Sequence, residues 1–281
     1  MTDSNLPIGV FDSGIGGLTV LGAIRELLPN EDLVYLGDTA RLPYGTKSPE
    51  SVRRYARNAA EFLSGQGIKA LVVACNTASA LALDELRDAL KPLPVIGVVE
   101  PGAAAAVTAS ANHHYLVLAT EATTGYKAYT RAIEAHDGSA VVEEMPCSLF
   151  VALAEEGWHA GEVATLAADK YLRSIRERSA DQKPDVAILG CTHFPLLQST
   201  IADALGGEVR VVDSATTTAQ ALKEQLEKSG LIKGTDEQGA FKLYATDGAT
   251  RFARVGGAFL GFELDAGDIE IVDIHQSDTG G

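Results

Sequence analysis

Short apolar runs rich in β-branched residues recur along the chain: PIGVFD, DLVYLGD, KALVVACN, LPVIGVV, HYLVLAT, DVAILGC and EVRVVD. Between most of them lie longer stretches with helical periodicity, among them GGLTVLGAIRELL, SPESVRRYARNAAEFLSGQG, ASALALDELRDAL and AGEVATLAADKYLRSIRERS. An unbroken apolar run suits a strand covered on both faces, and a helix between two such strands is the crossover that parallel pairing requires. The pattern therefore predicts an α/β fold of parallel sheets flanked by helices. With 281 residues and 46% apolar content, the chain can bury a large core as one domain or two.

Two strand-loop units look alike. KALVVACNTAS and DVAILGCTHFP each run from a charged residue through a buried strand to a cysteine, followed at once by a polar residue. This points to two pseudo-symmetric domains with the site in the cleft between them, although strand-then-cysteine is common in α/β sheets. The Pro/Gly-punctuated stretches near 91–102 and 206–215 divide the chain into residues 1–98 with 210–281, and residues 99–209. The later runs AFKLYATD and DIEIVDI are expected as extra strands on the first sheet.

In open parallel sheets, ligands sit beyond the carboxyl ends of the strands. Four such ends carry polar or reactive cargo: Asp12-Ser13, Asp38, Cys75-Asn76-Thr77 and Cys191-Thr192-His193. The loop FDSGIGGLTVL has the glycines of a nucleotide turn, but Thr19 stands where the dinucleotide fingerprint needs glycine, and no phosphate-loop motif occurs. What remains is a tight turn that holds Asp12 and Ser13 beside a helix start, where either could also be a plain cap. Three cysteines are too few and too scattered for a disulfide framework, and no C-x-x-C pair suggests a metal. Cys147, in MPCSLF, reads as a small core residue. Cys75 and Cys191 lead directly into polar loops, with His193 two residues beyond the second.

One cysteine with a histidine would suit a hydrolase built on Cys191 and His193. Two cysteines on equivalent strand ends suit a different task, in which one group takes a proton from one face of a carbon while the other delivers a proton to the opposite face. A thiol with an unperturbed pKa near 8.5 can serve in either role.

With these motifs in order, IGVFDSGIGGLTVL, YLGDTARLPYGTKS, VVACNTASA, GVVEPG and ILGCTHFPLL, the chain resembles the glutamate racemases. These are cofactor-independent bacterial enzymes that interconvert L- and D-glutamate for peptidoglycan synthesis. The resemblance implies Cys75 and Cys191 as acid/base thiols, Cys75 acting on the D and Cys191 on the L enantiomer, assisted by Asp12 and His193 respectively. It implies Asp12, Ser13, Tyr44, Gly45, Asn76, Thr77, Thr192 and His193 as substrate-binding residues, with no metal and no cofactor. An active-site glutamate of the family aligns with Glu155 rather than Glu156, in SLFVALAEEGWHAG, where the prolines usual in the family are missing. Glu155 reads equally as an ordinary solvated helix carboxylate. An aspartate-type racemase on the same scaffold is the nearest alternative.

A net charge of −15 argues against nucleic acid as the main partner, because phosphate binding rests on clustered Lys and Arg. It also requires an anionic substrate to be held by local donors rather than by the field of the whole protein. The start MTDSNLPIGVF has no signal-peptide pattern, and no apolar run approaches the ~20 residues that span a bilayer, so a cytoplasmic protein with a small-molecule substrate and no membrane contact is expected. Homodimers occur among the glutamate racemases, so the resemblance also allows a homodimer.

Overall fold

The structure is a computed structural model that describes residues 3–274. Ten strands follow in chain order: β1 (Ile8–Asp12), β2 (Leu33–Gly37), β3 (Ala70–Val73), β4 (Val95–Gly97), β5 (His114–Ala119), β6 (Val141–Pro146), β7 (Val186–Gly190), β8 (Arg210–Asp213), β9 (Phe241–Ala245) and β10 (Ile269–Ile271). They form two sheets, β10-β9-β2-β1-β3-β4 and β6-β5-β7-β8, and every strand pair is parallel. The α/β reading and the two flanked sheets expected from the sequence are found here.

Burial explains the composition of each strand. β1, β2, β3 and β7 are buried at every residue, and they are the unbroken apolar runs. The edge strand β6 (VVEEMP) is half-exposed and carries Glu143 and Glu144, charges that discourage pairing with another chain. AFKLYATD and DIEIVDI extend the first sheet beyond β2, as expected. The stretch EVRVVD departs from the sequence division at residue 210, because Arg210–Asp213 pairs with Val186–Leu189 and completes the second sheet. The chain leaves that sheet only through the helix Ser214–Ser229, which Asp213 caps with bonds from the Ala215 and Thr216 N–H groups.

Both sheets share one strand order. The first-sheet sequence β2-β1-β3-β4 is repeated as β6-β5-β7-β8, so each sheet has one place where successive crossovers leave in opposite directions. These switch points lie between β1 and β3 and between β5 and β7. The end of β1 and the loops after β1 and β3 hold Asp12, Ser13 and Cys75, and the loops after β5 and β7 hold Thr120 and Cys191. The units are joined by a continuous apolar core, in which Ile8, Leu18 and Tyr35 of the first cluster with Leu116, Leu189 and Phe194 of the second. Cys147 lies fully buried in that core. Among the described residues no helix is long and apolar enough to cross a membrane.

Candidate functional site

The two switch points face one small cavity of about 40 Å³, lined by Ser13, Tyr44, Gly45, Cys75, Asn76, Thr77, Thr120, Cys191, Thr192 and His193, with Pro43 and Val151. That volume holds a few water molecules, well below the roughly 300–1,000 Å³ common for ligand pockets.

Cys75 is the N-cap of the helix Asn76–Ala89. Its Sγ accepts from the Ala78 N–H at 3.4 Å and donates to Ser13 Oγ at 3.4 Å. Burial, and then the nearby Asp12 carboxylate, push this thiol up to about 12. Asp12 is itself buried, and burial outweighs the pull of His193 and the surrounding N–H groups, so its carboxyl stays above the usual range. Asp12 Oδ2 accepts from the Gly14 N–H at 2.9 Å, while Oδ1 has no partner.

Cys191 is set differently. Its Sγ lies 3.8 Å from His193 Nδ1, His193 Nε2 lies 3.0 Å from Glu155 Oε1, and Glu155 Oε2 accepts from Arg251 at 2.7 Å. Burial disfavours a charged imidazole, yet the bonds to Cys191 and Glu155 outweigh it and push His193 up to about 10. For Glu155 burial again opposes charge, and His193 and Arg251 outweigh it, keeping the carboxyl below its usual range. Glu156, the neighbour in sequence, is exposed.

Contacts across the units bring these loops together. A Cβ on Gly16 would lie 2.5 Å from both His193 Nδ1 and Thr192 Oγ1, so only glycine allows the first loop this close to the second. Thr19, the residue that breaks the nucleotide fingerprint, donates to Thr192 O at 3.1 Å. The Thr77 hydroxyl meets those of Thr120 and Thr123 at 3.2 Å, and Tyr129 OH donates to Asn76 Oδ1 at 2.7 Å, leaving Asn76 Nδ2 buried and unpartnered. The Tyr44 hydroxyl is committed to Asp38 at 2.6 Å, so Tyr44 offers the cavity its ring and backbone. Asp38, which also accepts from Arg41 and Thr246, fixes this loop from outside the cavity. Among the described residues no group of three or more His, Cys, Asp or Glu is placed to hold a metal ion.

Sequence reasoning passed over Thr120, Thr123, Tyr129 and Arg251. Thr120 carried a usable signal, since it follows β5 as Ser13 follows β1, whereas Tyr129 and Arg251 sit on helices at unremarkable spacings.

Two parallel sheets of repeated order, each delivering a cysteine to one cavity, place the chain among α/β enzymes of duplicated build. It belongs to the Asp/Glu/Hydantoin racemase family, whose model matches residues 8–222. A glutamate racemase of Geobacter metallireducens is 48% identical over 268 residues, spanning 95% of this chain and 97% of the relative. The crystal structure of a Francisella tularensis glutamate racemase in complex with D-glutamate superposes with a TM-score of 0.88 at 38% identity, covering 96% of this chain and 98% of that one. That of a Thermus thermophilus glutamate racemase in complex with β-chloro-D-alanine gives 0.85 at 42% identity, covering 96% and 98%.

Proposed function

We propose that the chain is a cofactor-independent glutamate racemase that supplies D-glutamate for peptidoglycan and moves the α-proton between Cys75 and Cys191. The observation that carries this reading is the pair of equivalent strand ends that bring one thiol each to a single cavity. The relatives named glutamate racemase, and the D-glutamate bound by the Francisella tularensis enzyme, support the substrate.

In the L to D direction the Cys191 thiolate takes the α-proton, and the electron pair left on the α-carbon spreads into the adjacent carboxylate. The Cys75 thiol then delivers its proton to the opposite face, leaving Cys75 as thiolate and Cys191 as thiol; the D to L direction is the reverse. His193, charged at neutral pH beside Cys191, stabilises a thiolate there. Asp12, whose buried carboxyl lies near enough to Cys75 to act on its charge, draws the proton from Cys75 before the D enantiomer reacts. Ser13, Asn76, Thr77, Thr192 and the Gly45 backbone supply neutral donors for two carboxylates, and Asp12 accepts from the ammonium. Such donors bind the two carboxylates without requiring a positive protein.

The test is a proton NMR time course with L-glutamate in deuterium oxide, with circular dichroism read on the same sample. Loss of the α-proton signal together with decay of ellipticity to zero is expected. A persistent α-proton with glutamate, and its loss with aspartate, would replace the substrate assignment. Hydrolysis of an ester or amide that survives Cys75→Ala would replace the reaction.

A further inference from the structure

The helix Ala249–Leu260 follows β9 and belongs to the first unit, outside the stretch matched by the family model. It nevertheless holds the histidine of the second unit from two sides. Phe259 meets the His193 ring edge-on, with centroids 5.4 Å apart and planes at 88°. Arg251, two turns earlier, binds Glu155 Oε2 at 2.7 Å while Glu155 Oε1 meets His193 Nε2 at 3.0 Å. Glu155 is the last residue of the short helix Leu149–Glu155 and is followed by a turn, so its backbone alone fixes the carboxylate poorly. An anion held at one oxygen can rotate, whereas one held at both has its plane set. Glu155 is 12% exposed and Arg251 51%, so the cation stands at the rim with the carboxylate between it and the buried imidazole.

We propose that Arg251 is a positioning residue for proton transfer at Cys191, acting across the units through Glu155 and His193 without touching the substrate. This rests on the reading of His193 as the partner of Cys191 in a racemase. At metal sites, removing the partner that orients a ligating histidine commonly costs about 10–100-fold. Arg251 lies at the outer end of the relay, and the lower figure applies.

Enantiomers have equal free energies, so kcat/KM is the same in both directions for any variant, and a change confined to one thiol is invisible in that ratio alone. Isotope effects separate the thiols. If Arg251→Met slows only the Cys191 step, the effect of α-deuteration rises with the enantiomer whose proton Cys191 removes. It falls with the other enantiomer towards the equilibrium isotope effect of the first transfer, because that direction becomes limited by a later transfer of a solvent-derived proton.

The experiment compares wild type, Arg251→Met, Arg251→Lys and, as a control for charge loss on the same helix, Arg254→Met. Expected are a fall in kcat/KM of about tenfold for Arg251→Met, recovery to within about threefold for Arg251→Lys, and no change beyond about twofold for Arg254→Met. The isotope effects of Arg251→Met should move in opposite directions for the two α-deuterated glutamates. Unchanged kcat/KM, or isotope effects that move together, would overturn the proposal. Should wild type fail to turn over glutamate, the functional reading falls, and the His193 Nε2–H proton resonance decides the positioning role. A signal that is sharp in wild type and broadened by Arg251→Met, but not by Arg251→Lys, upholds it; the same signal in all three overturns it.

Discussion

Cys75 and Cys191 occupy the same topological place, after the third strand of each repeated four-strand unit, yet their surroundings have almost nothing in common. Cys75 caps a helix, touches a serine hydroxyl and lies near a buried carboxylate that opposes its ionisation. Cys191 lies against His193, whose imidazole pKa is pushed up and which is backed by Glu155 and Arg251. The difference follows from geometry. Two copies of an L-amino-acid unit can be related by rotation but never by reflection, whereas the two faces of the planar intermediate in the proposed reaction are related by reflection. A repeated scaffold can therefore supply equivalent positions for two thiols, but it cannot supply equivalent environments for both enantiomers. The groups that assist the two thiols therefore have to differ.

The most severe way to break the comparison is to remove either thiol. Cys75→Ala and Cys191→Ala should each lower glutamate racemisation at least about a thousandfold, measured by circular dichroism. A single variant with wild-type turnover would mean that the halves are not two ends of one transfer. Removing the assisting groups sharpens it. Asp12→Asn and His193→Asn should each cost about a hundredfold in kcat, and their α-deuterium isotope effects should rise with opposite enantiomers. A rise with the same enantiomer in both variants would show that they serve one thiol.

Stability should separate the halves as well. The pKa of His193 is raised by folding from 6.5 to about 10, so its contribution is fully present below pH 6.5 and is lost as pH rises through 10. The Tm advantage of wild type over His193→Asn should therefore shrink between those values, and an advantage that grows would contradict the charged-histidine assignment. The smallest effects concern the two carboxylates at neutral pH. Asp12 has its pKa raised by burial, so folding favours its protonated form and the ionised group opposes folding above its titration range. Glu155 has its pKa lowered and is stabilising above the usual carboxylate range. Asp12→Asn should raise stability by on the order of 1 kcal/mol, roughly 2 °C in Tm, while Glu155→Gln should lower it by about 0.5 kcal/mol. Calorimetry that found both variants shifted in the same direction would remove this part of the contrast.

How far the sequence carries depends on whether a feature is local. Fully buried parallel strands announce themselves as runs such as LVVA and AILG, and a cysteine at the end of such a run followed by Asn-Thr or Thr-His is a local departure from core composition. The fold class and the thiol positions were legible for that reason. The division at residue 210 was not, since EVRVVD is an adequate edge strand for either sheet and only its pairing with β7 decides. The Glu155 to Arg251 contact spans 96 residues between two ordinary charged helix positions, and no spacing rule joins them. Tyr129 was hidden in the same way, since nothing near it in sequence shows that its hydroxyl faces Asn76.

The strand order has one mechanical consequence. The chain passes from the first sheet to the second after β4 and returns after β8, so two covalent crossings join the units. A body tethered by one strand can tumble about a point, but one tethered at two separate places swings about the line through them, like a door on two hinges. Any parting of the two sulfurs to admit a ligand is then confined to that one swing, and it works against the apolar core that the units share.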